Sequence, residues 1–281
     1  MRGHECWGLS RRPRAPDATF ARWFAWDAFG PVPGEVLEGV DAVVHLAGEP
    51  VADGRWTPER KRRILESRTL GTRAVVDAIG QASARPKVLL AASAVGFYGN
   101  RGEELLGEDA VAGTGFLAEV CTAWEQQSGR AVELGLRLVQ HRIGVVLARE
   151  GGAFPKIRRA FSLGAGGNLG SGEQFFPWIH LDDAVGLFAF ALENPAAVGP
   201  LNTVAPHPVR NRELTQTLAS VLHRPAFAHA PAFALRLLLG ELAEAVLESE
   251  RVSAEKATAL GYAFRYPTLG GALFALTSSP G

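Results

Sequence analysis

The 281-residue sequence predicts an α/β fold with a mostly parallel sheet, and three observations carry that expectation. Strand-like and helix-like segments alternate through the first two-thirds of the chain. The connections between them are short, as right-handed strand–helix–strand crossovers require. With 47% hydrophobic and 21% charged residues, the chain can bury one large core or two small ones and is too apolar for disorder.

The elements follow in order. Residues 6–10 form a short apolar run that ends in the basic, proline-broken loop Arg11-Arg12-Pro13-Arg14. Residues 22–26 make another short strand. The run 42–48 is a stronger one, β-branched at its centre and closed by Gly48. Thr57, Pro58 and Glu59 then supply an N-cap, a first-turn proline and an acid at the positive end of a helix dipole. That helix runs to about Ile79, with Gly80 as its stop. A buried strand at 87–95, a polar glycine-rich loop at 100–115, a helix at 116–127 and a third buried strand at 136–147 complete the alternation.

The character changes after Arg149. Residues 164–172 hold five glycines and read as a turn-rich loop, because the apolar run Phe175-Phe176-Pro177-Trp178-Ile179 follows directly. Asp182 and Asp183 cap a further helix. Beyond Leu201, Pro206, Pro208, Pro225 and Pro231 punctuate short elements. The expected organisation is a first domain at 1–150 and a smaller α+β lobe at 151–281, some of whose segments return to the sheet.

Charge narrows the function classes. The chain has 29 basic and 29 acidic residues, without the basic excess usual in nucleic-acid binders or at membrane surfaces. No run approaches the ~20 apolar residues of a membrane helix, and the first residues do not resemble a secretory signal. Two cysteines, Cys6 and Cys121, cannot form a disulfide framework, so a reducing cytoplasm is the expected compartment. A small-molecule substrate is the expected partner.

In doubly wound sheets, ligands sit beyond the carboxyl ends of the strands. Two such ends stand out: Leu9-Ser10-Arg11-Arg12 and His45-Leu46-Ala47-Gly48-Glu49. A guanidinium past the second strand offers forked donors to a ribose 2′-phosphate, where a carboxylate would favour the free hydroxyl of NAD. Ser10 and Arg11 hold that place, which points to NADP. The same arginines also read as the solvated face of a surface loop.

The sequence resembles the extended and atypical short-chain dehydrogenase/reductases. Within them it is similar to the epimerase family, whose NAD-dependent epimerase/dehydratase domain carries a C-terminal domain of unknown function. The resemblance spans essentially the whole chain. It rests on Gly8-Leu9-Ser10-Arg11, Asp41 through Glu49, Ser67-Arg68 with Gly71-Thr72, Ser93 through Gly99, Trp124-Glu125, Gly166 through Gly172, Trp178 through Asp183 and Asn202 through Pro206, in the family's order. It implies a Rossmann-type doubly wound parallel sheet and an NADP site. Ser10 and Arg11 would hold the 2′-phosphate, Leu46 and Ala47 would line the adenosine, Arg68 would reach back to the cofactor, and Val146 would lie near the nicotinamide.

Two departures from the family accompany the match. The family's opening strand and glycine-rich turn, which lead into the helix that binds pyrophosphate, have no counterpart, so roughly thirty residues are missing. The lost strand is central in the order 3-2-1-4-5-6, and the loss would leave two strand edges unpaired. We therefore expect Met1 to be an internal start. Second, the family's Tyr-x-x-x-Lys pair is replaced by Leu117 and Cys121. Ser93 matches the position of the catalytic serine, and Tyr98 is the tyrosine near a strand end. Both are candidate catalytic groups, and both also read as groups that satisfy a tight turn. Cys121 reads as a buried filler, His141 as a hydrogen-bonded core histidine, and His180 with Asp182 and Asp183 as a turn rather than a metal site. Trp178, Phe175 and Phe176 are expected to wall a cleft. The resulting expectation is an NADP-dependent oxidoreductase or epimerase-like enzyme, with a cofactor-binding sensor that has lost the chemistry as the alternative.

Overall fold

The computed structural model describes residues 3–12 and 14–278. β1 (Trp7–Ser10) and β2 (Arg22–Ala25) pair in parallel. Gly8 is needed there, because Trp23 lays its indole across the strand and a Cβ would fall 2.3 Å from a ring carbon. β3 (Ala42–His45) follows, with Ala42 and Val43 packing into core clusters on opposite faces, as strand alternation requires. α1 (Pro58–Gln81) starts on a Thr57 cap whose hydroxyl accepts from Arg60 N at 3.2 Å. It passes through the expected stop at Gly80, which stays helical against Leu134, and ends where the backbone of Ala82 turns extended. β4 (Val88–Ala94) is buried on both faces.

β5 (Leu105–Leu106), α2 (Phe116–Gly129), β6 (Arg137–Ile143) and β7 (Val145–Leu147) come next. The single strand expected over 136–147 is therefore two. Gly144 separates them, since a Cβ there would meet the Pro177 carbonyl oxygen at 2.6 Å. α3 (Phe154–Ser162), β8 (Gly167–Leu169), β9 (Phe175–Phe176), β10 (Trp178–His180), α4 (Leu181–Glu193) and β11 (Gly199–Thr203) follow. β7 leaves the main sheet to pair with β10. The main sheet is parallel, in the order β11-β6-β4-β3. Among the described residues β1 pairs only with β2, and β3 only with β4. The two sheets still share one apolar cluster, in which Leu9 and Phe24 join Val43, Val76, Ile79 and Leu89.

α4 is capped differently from expectation. The His180 Nδ1 atom accepts from Asp182 N at 3.0 Å, and Asp183 turns to the C-terminal segment instead. Its carboxylate accepts from Tyr262 Oη, Arg265 N and Tyr266 N at 3.1, 2.7 and 2.8 Å.

β12 (Val209–Arg210), α5 (Asn211–Leu222), β13 (Ala228–Ala230), α6 (Ala232–Leu239), α7 (Glu244–Leu247), β14 (Arg251–Val252), α8 (Glu255–Ala259) and α9 (Leu269–Thr277) complete the described chain. Short strand pairs stitch this lobe on: β13 to β8, β12 to β9 and β14 to β5. The glycine-rich stretch serves such a pair, since a Cβ on Gly167 would collide with the Ala228 carbonyl. Trp178 is core rather than cleft wall, 1% exposed among Leu147, Phe154, Leu218 and Leu273. No described helix is long and apolar enough to cross a membrane.

Candidate active site

The carboxyl ends of β1 and β3 both carry exposed side chains. Ser10 ends β1, and its hydroxyl accepts from Arg12 N at 3.3 Å. Arg11 and Arg12 are exposed, and the Arg11 guanidinium has no hydrogen-bond or ion-pair partner among the described residues. Past β3, Leu46 is 61% exposed, an unusual position for a large apolar residue, and Ala47 is half-buried against the core. The loop that follows is tied to α1. Ser67 Oγ accepts from Glu49 N, and Arg68 Nη1 donates to Glu49 O at 3.0 Å and Ile64 O at 3.1 Å. Arg68 backs Gly48 closely, with its Cζ 3.3 Å from where a Cβ would stand, and lies over the Trp124 ring at 4.9 Å. Its place is therefore beneath the loop, between β3 and α2.

The ends of β4 and β6 are closed. Arg142, on β6, makes a forked pair with Glu125 on α2, its Nε and Nη2 each 2.9 Å from a carboxylate oxygen. The two side chains are 4% and 11% exposed, so the charges are largely withdrawn from water. Ser93 donates to the same carboxylate at 2.7 Å. Tyr98 is fully buried; it donates to Asn202 Oδ1 at 2.7 Å and accepts from Arg142 Nη1 at 3.0 Å. Burial pushes its hydroxyl up to about 12. Asn202 in turn donates to the carbonyls of Leu106 and Ser253. Both candidate catalytic residues thus sit in one network with their polar atoms engaged.

Cys121 is buried on α2, and burial pushes its thiol up to about 12. His141 is fully buried, bonded to Thr203 Oγ1 at 2.9 Å and stacked on Phe188 at 3.7 Å; burial holds it down to about 3. Val146 lies on β7 opposite Ile179, half-buried. Sequence reasoning did not assign the hubs Glu125, Arg142 and Asn202. The available signal was a charge inside a buried strand, since an arginine there requires a partner.

Residues 1–204 match the NAD dependent epimerase/dehydratase family, and residues 230–276 match a domain of unknown function, DUF1731. The chain belongs to this epimerase/dehydratase family. Among its relatives, the chloroplastic epimerase family protein SDR39U1 homolog of Arabidopsis thaliana is 46% identical over 242 residues, covering 85% of this chain and 69% of that protein. Epimerase family protein YfhF of Bacillus subtilis is 36% identical over 272 residues, covering 96% and 89%. The solved structure of human epimerase family protein SDR39U1 (isoform 2) with NADPH superposes with a TM-score of 0.87 at 34% identity, covering 98% of this chain and 91% of that one. MoeE5 in complex with UDP-glucuronic acid and NAD shares the fold, with a TM-score of 0.76 at 21% identity. The Rossmann-like α/β architecture with a C-terminal lobe is thus the family's own.

Proposed function

We propose that the chain binds NADP(H) at the ends of β1 and β3 and acts as an oxidoreductase or epimerase-like enzyme on a small molecule in the reducing cytoplasm. One observation carries the cofactor choice: a serine ends β1 and an unpartnered guanidinium follows it, with no carboxylate at that position. The groups present fit the adenosine half. Ser10 and Arg11 would take the 2′-phosphate, exposed Leu46 and Ala47 would line the adenosine, Arg68 would steady the loop, and Val146 would lie toward the nicotinamide. Human SDR39U1, similar along nearly the whole chain, was solved with NADPH, which supports the assignment. Among the described residues no glycine-rich turn leads from β1 or β3 directly into a helix, so the pyrophosphate contacts are unassigned. When bound, the nicotinamide supplies or accepts a hydride.

Calorimetric titration with NADPH and NADH tests this reading. Arg11→Glu should weaken NADPH binding by about 1.5–3 kcal/mol, the worth of a hydrogen bond to a charged group, and leave NADH unchanged. Equal losses, or no heat with either cofactor, would remove the assignment. A second reading, a cofactor-binding sensor, is favoured by the engagement of Ser93 and Tyr98 within the protein. NADPH bound but never consumed across a panel of aldehydes, ketones and sugar nucleotides would select it.

A further inference from the structure

A cavity of about 250 Å³ opens at the carboxyl ends of the paired strands β7 and β10. The loop after β7, the first turn of α4 and the C-terminal segment enclose it. Arg149, His180, Asp182 and Tyr266 supply its polar lining, and Ala275 and Leu276 of α9 close the other side. The volume lies below the ~300–1,000 Å³ of pockets that take drug-sized ligands, so an occupant must be small.

His180 is 6% exposed, and most of its ring is already committed. Its Nδ1 accepts from the Asp182 amide at 3.0 Å, and the Tyr266 ring lies against one face, 3.9 Å between centroids. A backbone amide can only donate, so Nδ1 carries no proton and the neutral ring holds its hydrogen on Nε2. Burial, against the pull of the Asp182 and Asp183 carboxylates, keeps the ring below its ordinary 6.5. Among the described residues Nε2–H has no acceptor, although a donor on so enclosed a side chain normally has one. With its Nδ1 edge turned to α4, His180 offers this donor to the cavity that it lines.

The charges around the cavity suit an anion. Arg149 donates through Nη2 to the Ala275 carbonyl at 2.8 Å, which holds the guanidinium at the cavity wall. Its Nε and Nη1 are uncommitted among the described residues. Asp182 is the one acid on the described lining, and Arg265 pairs with it at 3.0 Å. Asp183 is turned away, its carboxylate filled by Tyr262, Arg265 N and Tyr266 N. The first turn of α4, a helix of 13 residues, adds the positive end of its dipole.

We propose that this cavity binds a phosphoryl group, either inorganic phosphate or the end of a small organic phosphate. Arg149 supplies a charged fork and His180 Nε2–H a neutral donor. A fork alone would take a carboxylate as readily. Donors from the loop after β7, from β10 and from the start of α4 approach from separate elements, which suits the spread oxygens of a tetrahedral anion. The site does not depend on the NADP(H) reading, because none of its lining lies at the ends of β1 and β3.

NMR of the full-length protein carrying isotope-labelled histidine tests this. The His180 ring, assigned by its contacts to the Tyr266 ring, should appear as the Nε2–H tautomer. Inorganic phosphate at constant ionic strength should move its Nε2 signal saturably and leave the other histidines in place. Acetate should bind at least about 10-fold more weakly. Arg149→Gln should weaken phosphate at least about 10-fold, whereas Arg11→Glu should leave it unchanged. Glycerol 3-phosphate separates the sources: binding tighter than phosphate assigns an organic phosphate, and weaker binding assigns the free ion. No saturable shift in up to about 50 mM phosphate overturns the proposal, as does a His180 protonated on Nδ1. Full phosphate affinity in Arg149→Gln, or an equal response to acetate, overturns it too. Loss of the response in Arg11→Glu would place the phosphate at the proposed cofactor surface and equally remove this site.

Discussion

At the ends of β4 and β6, Ser93, Tyr98, Glu125, Arg142 and Asn202 engage their polar atoms with one another and with nearby backbone carbonyls. At the ends of β1 and β3, Arg11 and Leu46 face outward without protein partners. The contrast separates two ways of using a strand end. A charge that is buried must be paired within the protein, because desolvation is costly, and it then fixes geometry. A charge left exposed and unpaired keeps its hydrogen-bonding capacity for a ligand. The first region is a floor, and the second leaves its side chains free, as the proposed cofactor site requires.

The sharpest way to break this contrast is to remove one partner of the buried pair. Glu125→Ala strands Arg142 and should cost about 3–5 kcal/mol in urea unfolding. The double change Glu125→Leu with Arg142→Met should recover much of that loss, since both charges then leave together. A loss below about 1 kcal/mol for Glu125→Ala would show that the closed region is no tighter than a surface pair.

The contrast belongs to the strand tips and not to the strands beneath them, and acid should show it. His45 on β3 and His141 on β6 are both buried, and burial holds them down to about 4 and about 3. A depressed histidine contributes stability that is complete above its ordinary value of 6.5 and lost as pH falls toward the folded value. The urea midpoint should therefore drop between pH 6.5 and 4, and His141→Gln and His45→Gln should each flatten that limb. Glu250 carries the opposite sign. Raised to about 8, it favours the fold below its ordinary value of 4.5 and loses that contribution as pH rises to 8. An acid limb unchanged in both histidine variants would place the proton uptake elsewhere.

Tyr98→Phe is a milder probe of the floor. Asn202 and Arg142 would each lose a partner in a buried setting, at a cost of about 1–3 kcal/mol. NADPH affinity, read by calorimetry, should not move. A loss of affinity instead would mean that Tyr98 reaches the cofactor surface.

The ends of β1 and β3 were legible in the sequence because a strand end announces itself: β-branched residues, then Gly48, or Ser10 followed by arginines. α1 was legible through Thr57 and Pro58. The floor was not, because its hubs come from α2, β6 and β11, and nothing local in Trp124-Glu125 or His141-Arg142 says that they meet. The same holds for β5 with β14 and β8 with β13, strands of two or three residues that exist only because a distant segment lies alongside. Gly144 hid a break inside an apolar run, since its cause is the Pro177 carbonyl across the fold.

The smallest effect tests whether burial, and not charge pairing as such, makes the floor. Lys61 and Glu241 form an ion pair at 2.7 Å between α1 and the C-terminal lobe, close in length to the Arg142–Glu125 contacts but with Glu241 62% exposed. Water screens such a pair, so it should contribute about 0–1 kcal/mol. Glu241→Gln leaves Lys61 over the Phe116 ring and removes only the charge. Its unfolding midpoint should fall slightly at low salt and match wild type in about 1 M salt, where the screening length is about 3 Å. The Glu125→Ala deficit should persist in the same salt, because its charges are shielded from the solvent ions. If the two deficits respond alike, enclosure does not distinguish the pairs, and the floor owes its rigidity to the hydrogen bonds of Ser93, Tyr98 and Asn202 alone.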